Sequence, residues 1–285
     1  QNAYVRRKGN NVAQTALIWG QFLLCVAVIA YAGTRLSRYG DVIAEKTGLG
    51  GSLIGLILVA TVTSLPELVT GVSAVSLAGV PNIAVGNVLG ACVMNLAMIV
   101  LLDFLERHAS VYTRASHGHI VAAGLTIVML ALVGFSLLVG RSRLIPELGH
   151  VGLYTPILLV FYLIAMRVLY VYETRQQSEY VEMRVERYPE IGLREAGLRY
   201  AAFAVVVVAA ALWLPFVAES LARAMDWQGS FVGTIFVAFA TTTPELVVTV
   251  SAVRLGALNM AIGNLFGSNL FNLALIAVDD LVYLP

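Results

Sequence analysis

The chain has 285 residues, 59% of them hydrophobic and 12% charged, with a mean hydropathy of +0.84. Soluble domains carry about 25% charged residues, so the composition describes an integral membrane protein and excludes a soluble globular one. The net charge of +1 gives no sign of an acidic partner, and basic residues scattered over loops are no nucleic-acid surface.

About 20 consecutive apolar residues cross a bilayer as a helix. Eight such spans follow in order: 12–32, 52–78, 83–102, 120–138, 151–171, 201–218, 230–253 and 258–278. Cys25 and Cys92 fall inside apolar runs and read as small buried hydrophobes. His108, His117, His119 and His150 fall between spans and read as solvated loop residues, not metal ligands. Two longer polar segments, 106–119 and 173–199, interrupt the pattern. The second is a dense mix of Glu and Arg and divides the chain into 1–172, 173–199 and 200–285. Lys and Arg are richer on the side holding Arg35, Arg38, Lys46 and the 173–199 segment than on the side of Arg141, Arg143 and Arg223. The positive-inside rule then places 173–199 in the cytoplasm and the N-terminus outside, with Arg6, Arg7 and Lys8 arguing the other way.

The chain says the same thing twice. Residues 55–103 contain VATVTSLPELV and then GNVLGACVMNLAMIVLLD; residues 233–280 contain VAFATTTPELV and then GNLFGSNLFNLALIAVDD. With one residue of slack near Gly79, about half the aligned positions are identical, which marks an internal duplication. The copies lie in spans two and three and in spans seven and eight. Five spans separate each helix from its counterpart, so the two copies enter the membrane from opposite faces. That is an inverted repeat, the architecture of many secondary transporters. Five spans plus five are expected from such a repeat. Only three follow the central segment, so two further spans are expected after Pro285.

Each copy buries a carboxylate, Glu67 or Glu245, in an apolar run that holds no basic partner at that depth. Such a group is costly unless a cation compensates it, which marks a functional site. Pro66 and Pro244 precede them; lacking an N–H, each proline frees a carbonyl four residues back, at Val62 or Ala240. Thr63, Ser64 and Thr70, and in the second copy Thr241 and Thr242, add hydroxyls beside the carboxylates. Spans three and eight supply two stripes at four-residue spacing: Asn87, Ala91 and Asn95, and Asn264, Ser268 and Asn272. Gly86 and Gly90, with Gly263 and Gly267, form small faces that let helices approach closely. Every donor is a hard oxygen, which suits Ca²⁺ and Na⁺ over Zn²⁺ or Cu. Thr70, Ser73 and Ser251 read as hydroxyls bonded to their own backbone. Asp41, Glu219, Asp103 and Asp280 lie near span ends and read as solvated or interfacial charges.

These paired motifs, T-S-x-P-E-L and G-N-x-x-G-[SA]-x-x-x-N, resemble the α-repeats of the cation/Ca²⁺ exchanger superfamily, which includes the sodium/calcium exchangers. The resemblance covers nearly the whole chain. It implies an all-α inverted-repeat transporter fold of ten helices with four ion sites at the midplane. It implies Glu67 and Glu245 as the main Ca²⁺ carboxylates, joined by the carbonyls of Thr63 and Thr241. It implies Na⁺ binding by Ser64, Thr242, Ser268 and the backbone near Ala60 and Ala238, with Asn95 and Asn272 completing the ring. Ala91 stands where the family's first motif has Ser, Cys92 stands opposite Asn269, and Thr242 replaces a usual Ser. A lost hydroxyl puts one Na⁺ site in doubt and opens the alternative of proton coupling. The 173–199 segment is too short for the regulatory domain of animal exchangers. The reading is a compact, monomeric, multi-pass antiporter of a prokaryotic inner membrane that exchanges Ca²⁺ for Na⁺ or H⁺ and holds no cofactor. A cation channel with a carboxylate ring is a weaker alternative. An intramembrane enzyme is weaker still, for the spans hold no HExxH, no G-x-S-x-G and no Ser–His pair.

Overall fold

The computed structural model describes residues 2–77, 79, 81–105, 113, 115–140, 147–148, 151–179, 187–225, 239 and 241–283. Apolar runs become helices here because a bilayer leaves the backbone no other hydrogen-bond partner. In chain order they are α1 (Asn2–Thr47), α2 (Gly50–Thr63), α3 (Leu65–Ser76), α4 (Pro81–Leu105), α5 (Gly118–Gly140), α6 (Tyr154–Glu179), α7 (Leu193–Ala224), α8 (Thr243–Arg254) and α9 (Leu258–Val282). A short antiparallel clasp, β1 (Glu147–Leu148) with β2 (Val151–Gly152), precedes α6. Among the described residues six helices are long and apolar enough to cross a membrane, and α2 with α3, bent by 41°, counts as a seventh when taken as one span. Of the seventh expected span, 230–253, α8 is the second half; residues 230–238 and 240 lie outside the described residues.

Span edges differ from the hydropathy reading. α1 continues past residue 32 to Thr47. α6 runs to Glu179 and α7 starts at Leu193, so both ends of the expected 173–199 loop, 173–179 and 193–199, are helix. Composition marks where hydrocarbon ends, whereas helical hydrogen bonds continue into the interface. The extensions carry the charges that stop the apolar runs. Arg199 on α7 donates to the Tyr39 hydroxyl at 2.9 Å. Glu45 on α1 accepts from the backbone N–H groups of Arg187 and Tyr188, and Asp41 accepts from the Tyr188 hydroxyl at 3.0 Å. Burial, then the Asp41 charge, pushes that hydroxyl up to about 12, so it stays a donor. Asp41 is thus an interfacial charge with named partners; the side chain of Glu219 lies outside the described residues.

Two other expectations change. His119 is not a solvated loop residue: it opens α5, is 4% exposed, stacks on Phe266 and lies 3.2 Å from the Asn259 Oδ1. His117 is exposed as read, and His108 and His150 lie outside the described residues. Asp280, like Asp41, is an interfacial charge with named partners: it accepts from the Gly152 N–H at 3.1 Å, the Tyr154 hydroxyl at 2.7 Å and the Thr155 hydroxyl, which ties α9 to the start of α6. Ser251 bonds across to Thr34 of α1 at 3.0 Å instead of to its own helix. With the Ser37 hydroxyl donating to the Val248 carbonyl, it fixes α8 against α1.

The central element is α9, with 83% of its membrane window buried against at most 33% for the other single-helix spans. It packs against α2, α3, α4, α5, α6 and α8. Close approach to α2 is set by glycines. A methyl on Gly55 would overlap the Met260 carbonyl, one on Gly263 would lie 2.5 Å from the Ser52 carbonyl, and one on Gly267 would overlap Leu56. The α2 backbone widens into a π-helical turn over Gly55–Val59 at this contact. Around Gly86 and Gly90 no described atom comes within 4 Å. Their counterpart of the α2 contact falls in 230–238, outside the described residues.

Gly263→Val is expected to lower stability by about 2–3 kcal/mol through overpacking against fixed backbone. Gly20→Ala, with open space around it, is expected to be neutral or stabilising by about 0.5–1 kcal/mol. Thermal unfolding in detergent should separate the two; equal midpoints would contradict the α2–α9 contact.

Candidate cation site

The chain breaks twice in the same way. Ser64 leaves helical geometry at φ −92°, ψ 5° and α3 begins with Pro66 in its first turn. Thr242 does so at φ −86°, ψ 4° and α8 begins with Pro244 in its first turn. A proline is tolerated at a helix start because that N–H has no partner anyway. The interruption therefore falls two residues before each proline, not at it. It sets the C-terminal carbonyls of α2 beside the N-terminal turn of α3, where the helix dipole favours the Glu67 carboxylate. Glu245 has the same place in α8.

Glu67 is 0% and Glu245 1% exposed, and the two carboxylates interact electrostatically. The hydroxyls of the first repeat turn toward the carboxylate of the second: Ser64 donates to the Glu245 Oε1 at 3.3 Å. Thr63 contacts Asn264 Oδ1 at 3.3 Å and Ser268 Oγ at 3.4 Å. Asn264 in turn donates to Thr249 on α8 at 3.0 Å. Asn95 on α4 donates to the Asn269 Oδ1 at 3.0 Å, and Cys92 on the same helix lies beside both Glu67 and the Asn269 carbonyl. Ala60, Ala91, Thr241, Thr242 and Asn272 are all buried. Ala238 lies outside the described residues.

The structure thus brings Glu67, Glu245, Thr63, Ser64, Asn95 and Ser268 into one buried region around α9. It adds Thr249 and Asn269, which the sequence motifs did not single out as site residues. The mismatch of Cys92 with Asn269 between the repeats was the available signal for the second. Five oxygens of this region have no donor among the described residues: both of Glu67, Oε2 of Glu245, and the Oδ1 atoms of Asn95 and Asn272. Buried acceptors are otherwise almost always satisfied, and an unmatched buried carboxylate is the most costly kind. No three His, Cys, Asp or Glu side chains converge among the described residues. A cation held here would draw its remaining ligands from amide, hydroxyl and backbone oxygens, the donor set of Ca²⁺ and Na⁺.

Two helices that begin at matching interruptions, α3 and α8, and bring one carboxylate from each inverted half into the membrane interior define a secondary cation transporter. Residues 17–172 and 197–278 match the sodium/calcium exchanger protein family, and the chain belongs to that family. It is 25% identical over 268 residues to an uncharacterized membrane protein of Methanocaldococcus jannaschii, covering 93% of this chain and 82% of that one. It is 29% identical over 279 residues to the sodium/calcium exchanger MaX1 of Methanosarcina acetivorans, covering 89% and 79%. A solved structure of the sodium-calcium exchanger NCX_Mj superposes with a TM-score of 0.69 at 24% identity, over 94% of this chain and 83% of that one. The fold is accordingly the all-α inverted-repeat transporter fold of that family.

The Asn95–Asn269 pair links α4 to α9 inside the site. Asn269→Ala is expected to cost about 1–3 kcal/mol by leaving the Asn95 amide buried without an acceptor. Adding Asn95→Ala should cost less than a second independent loss. A thermal double-mutant cycle measures the difference, and strict additivity would contradict the pairing.

Proposed function

We propose that this protein exchanges Ca²⁺ for Na⁺ across the membrane by alternating access. The observation that carries the reading is the set of unpaired oxygens on Glu67 and Glu245, buried with no basic partner among the described residues. Glu67 and Glu245, with the carbonyls of Thr63 and Thr241, hold Ca²⁺. Ser64, Thr242, Ser268 and the backbone at Ala60 and Ala238 hold Na⁺, and Asn95 and Asn272 close the ring. An empty site carries two negative charges, and occluding it in a low-dielectric interior is expensive. One Ca²⁺ neutralises the pair, and so do Na⁺ ions. Loaded forms cross easily and empty ones do not, so competition for shared carboxylates produces exchange. The family membership and the name of MaX1 support this choice of ions.

One observation favours a second reading, proton coupling. Ala91 is 2% exposed on the α4 stripe, where a serine would add a Na⁺ ligand. With that hydroxyl gone, protonation of the carboxylates is the other way to discharge the site.

Ca²⁺ uptake into proteoliposomes, driven in turn by an outward Na⁺ gradient and an outward proton gradient, decides between them. Uptake with Na⁺ is expected; uptake with protons alone would select the second reading, and uptake with neither would remove Ca²⁺ as substrate. Glu67→Gln and Glu245→Gln are each expected to cut uptake by at least about 100-fold, the upper range for disturbing a metal site; unchanged exchange would overturn the site. Ala91→Ser is expected to strengthen the dependence on Na⁺, read as a lower half-saturating Na⁺ concentration.

A further inference from the structure

Asp279 is a buried carboxylate that the midplane ring does not use. It is 5% exposed, and neither of its oxygens has a donor among the described residues. Its neighbour Asp280 is fully engaged by Gly152, Tyr154 and Thr155, so one acid of the pair anchors α9 and the other faces inward. Asp279 lies seven residues, two helical turns, beyond Asn272 and so on the same face of α9. α3 leads to the same place: Gly71 is one turn beyond Glu67, and a methyl there would lie 2.7 and 2.8 Å from the two Asp279 oxygens. α4 leads there too: Asn87 lies two turns back from Asn95 toward the helix start, and its Nδ2 is buried without a partner. The helix ends meet just beyond, where Ala74, Val75 and Ala84 pack with Val282 and Tyr283. Three helices thus carry polar or side-chain-free positions from the midplane ring toward one membrane face.

The inverted repeat sharpens the point. It builds two routes from the site, one to each face, and the counterpart of Asp279 is Leu102, which is 0% exposed. At this matched position only the second repeat carries a carboxylate. We infer that Asp279, with Gly71 clearing its space and Asn87 at its level, is a second cation site on the route between the midplane ring and one membrane face, loading Ca²⁺ or Na⁺ from that face alone. A carboxylate in a low-dielectric channel concentrates cations at its own mouth. It therefore makes a nominally symmetric exchanger unequal in its apparent affinity at the two faces.

The inference rests on the exchanger reading only for the identity of the ions, and two measurements keep them apart. In the first, Glu67→Gln/Glu245→Gln protein in detergent is treated with dicyclohexylcarbodiimide, and the Asp279 adduct is quantified by mass spectrometry. Millimolar Ca²⁺ or Na⁺ is expected to suppress the adduct while choline does not. No adduct, or an adduct indifferent to both ions, overturns the site whether or not the wild-type protein transports Ca²⁺. In the second, the half-saturating Ca²⁺ concentration is measured separately at each face of oriented proteoliposomes. Asp279→Asn is expected to raise it about tenfold at one face, the lower end for charge-lined clefts, and to leave the other face unchanged. Gly71→Ala, which displaces the carboxylate, should act in the same direction. An equal change at both faces, or none at either, overturns the inference, whereas absence of wild-type Ca²⁺ exchange sinks the exchanger reading and leaves the labelling result to decide this one.

Discussion

Two carboxylates held in a membrane interior with no basic partner among the described residues are the constraint on which the rest of the structure depends. Glu67 and Glu245 are fully buried, and three of their four oxygens have no donor among the described residues. A group of that kind is tolerated only where something outside the chain completes it. The rest of the site is then understandable as preparation: hydroxyls, amides and interrupted helix ends present oxygens, and among the described residues no basic side chain competes for the carboxylates. Ser64 and Thr63 reach across to the partner repeat. Neither half of the molecule can therefore build the site by itself.

Bringing short side chains from several helices to one ion requires helices to pack closer than ordinary side chains allow. α9 meets that requirement through glycine. Gly263 and Gly267 on its surface and Gly55 on α2 let backbone touch backbone, and the π-helical turn over Gly55–Val59 adjusts α2 to the contact. In a bilayer this contact is favoured by van der Waals fit and polar pairing, because lipid tails are as apolar as the side chains they would replace. Burial of α9 therefore follows from its small and amide residues more than from its hydrophobicity. The same helix carries Asn264, Ser268, Asn269, Asn272 and Asp279, so the scaffold and the polar route are one element.

The two repeats are not equivalent, and their differences fall at chemically important positions. Ala91 stands opposite Ser268, Cys92 opposite Asn269 and Leu102 opposite Asp279. Each exchange puts the oxygen on the second repeat. The duplication supplies two-fold geometry, and these substitutions give the two sides different polar groups. A transporter with different ligands on its two routes can hold its ions more tightly at one face than at the other, which a strict two-fold site could not do.

The sequence by itself determined that the chain spans a membrane, that it contains an inverted repeat, and that Glu67 and Glu245 are its exceptional residues. These follow from local composition and from the cost of a charge in hydrocarbon, which need no knowledge of neighbours. The helix ends were not legible, because hydropathy reports the hydrocarbon boundary while α1, α6 and α7 continue beyond it. His119 reads as solvated from the sequence because flanking polarity says nothing of partners far along the chain, Asn259 and Phe266; for the same reason the sequence could not name Gly152, Tyr154 and Thr155 as the partners of Asp280. Tertiary structure alone decided that Asn95 pairs with Asn269, that Ser64 serves Glu245, and that Asp279 faces Gly71 without a donor. Each of these joins residues from different helices, and which helices become neighbours depends on how closely their backbones can approach, a property of the assembled bundle and not of any one span.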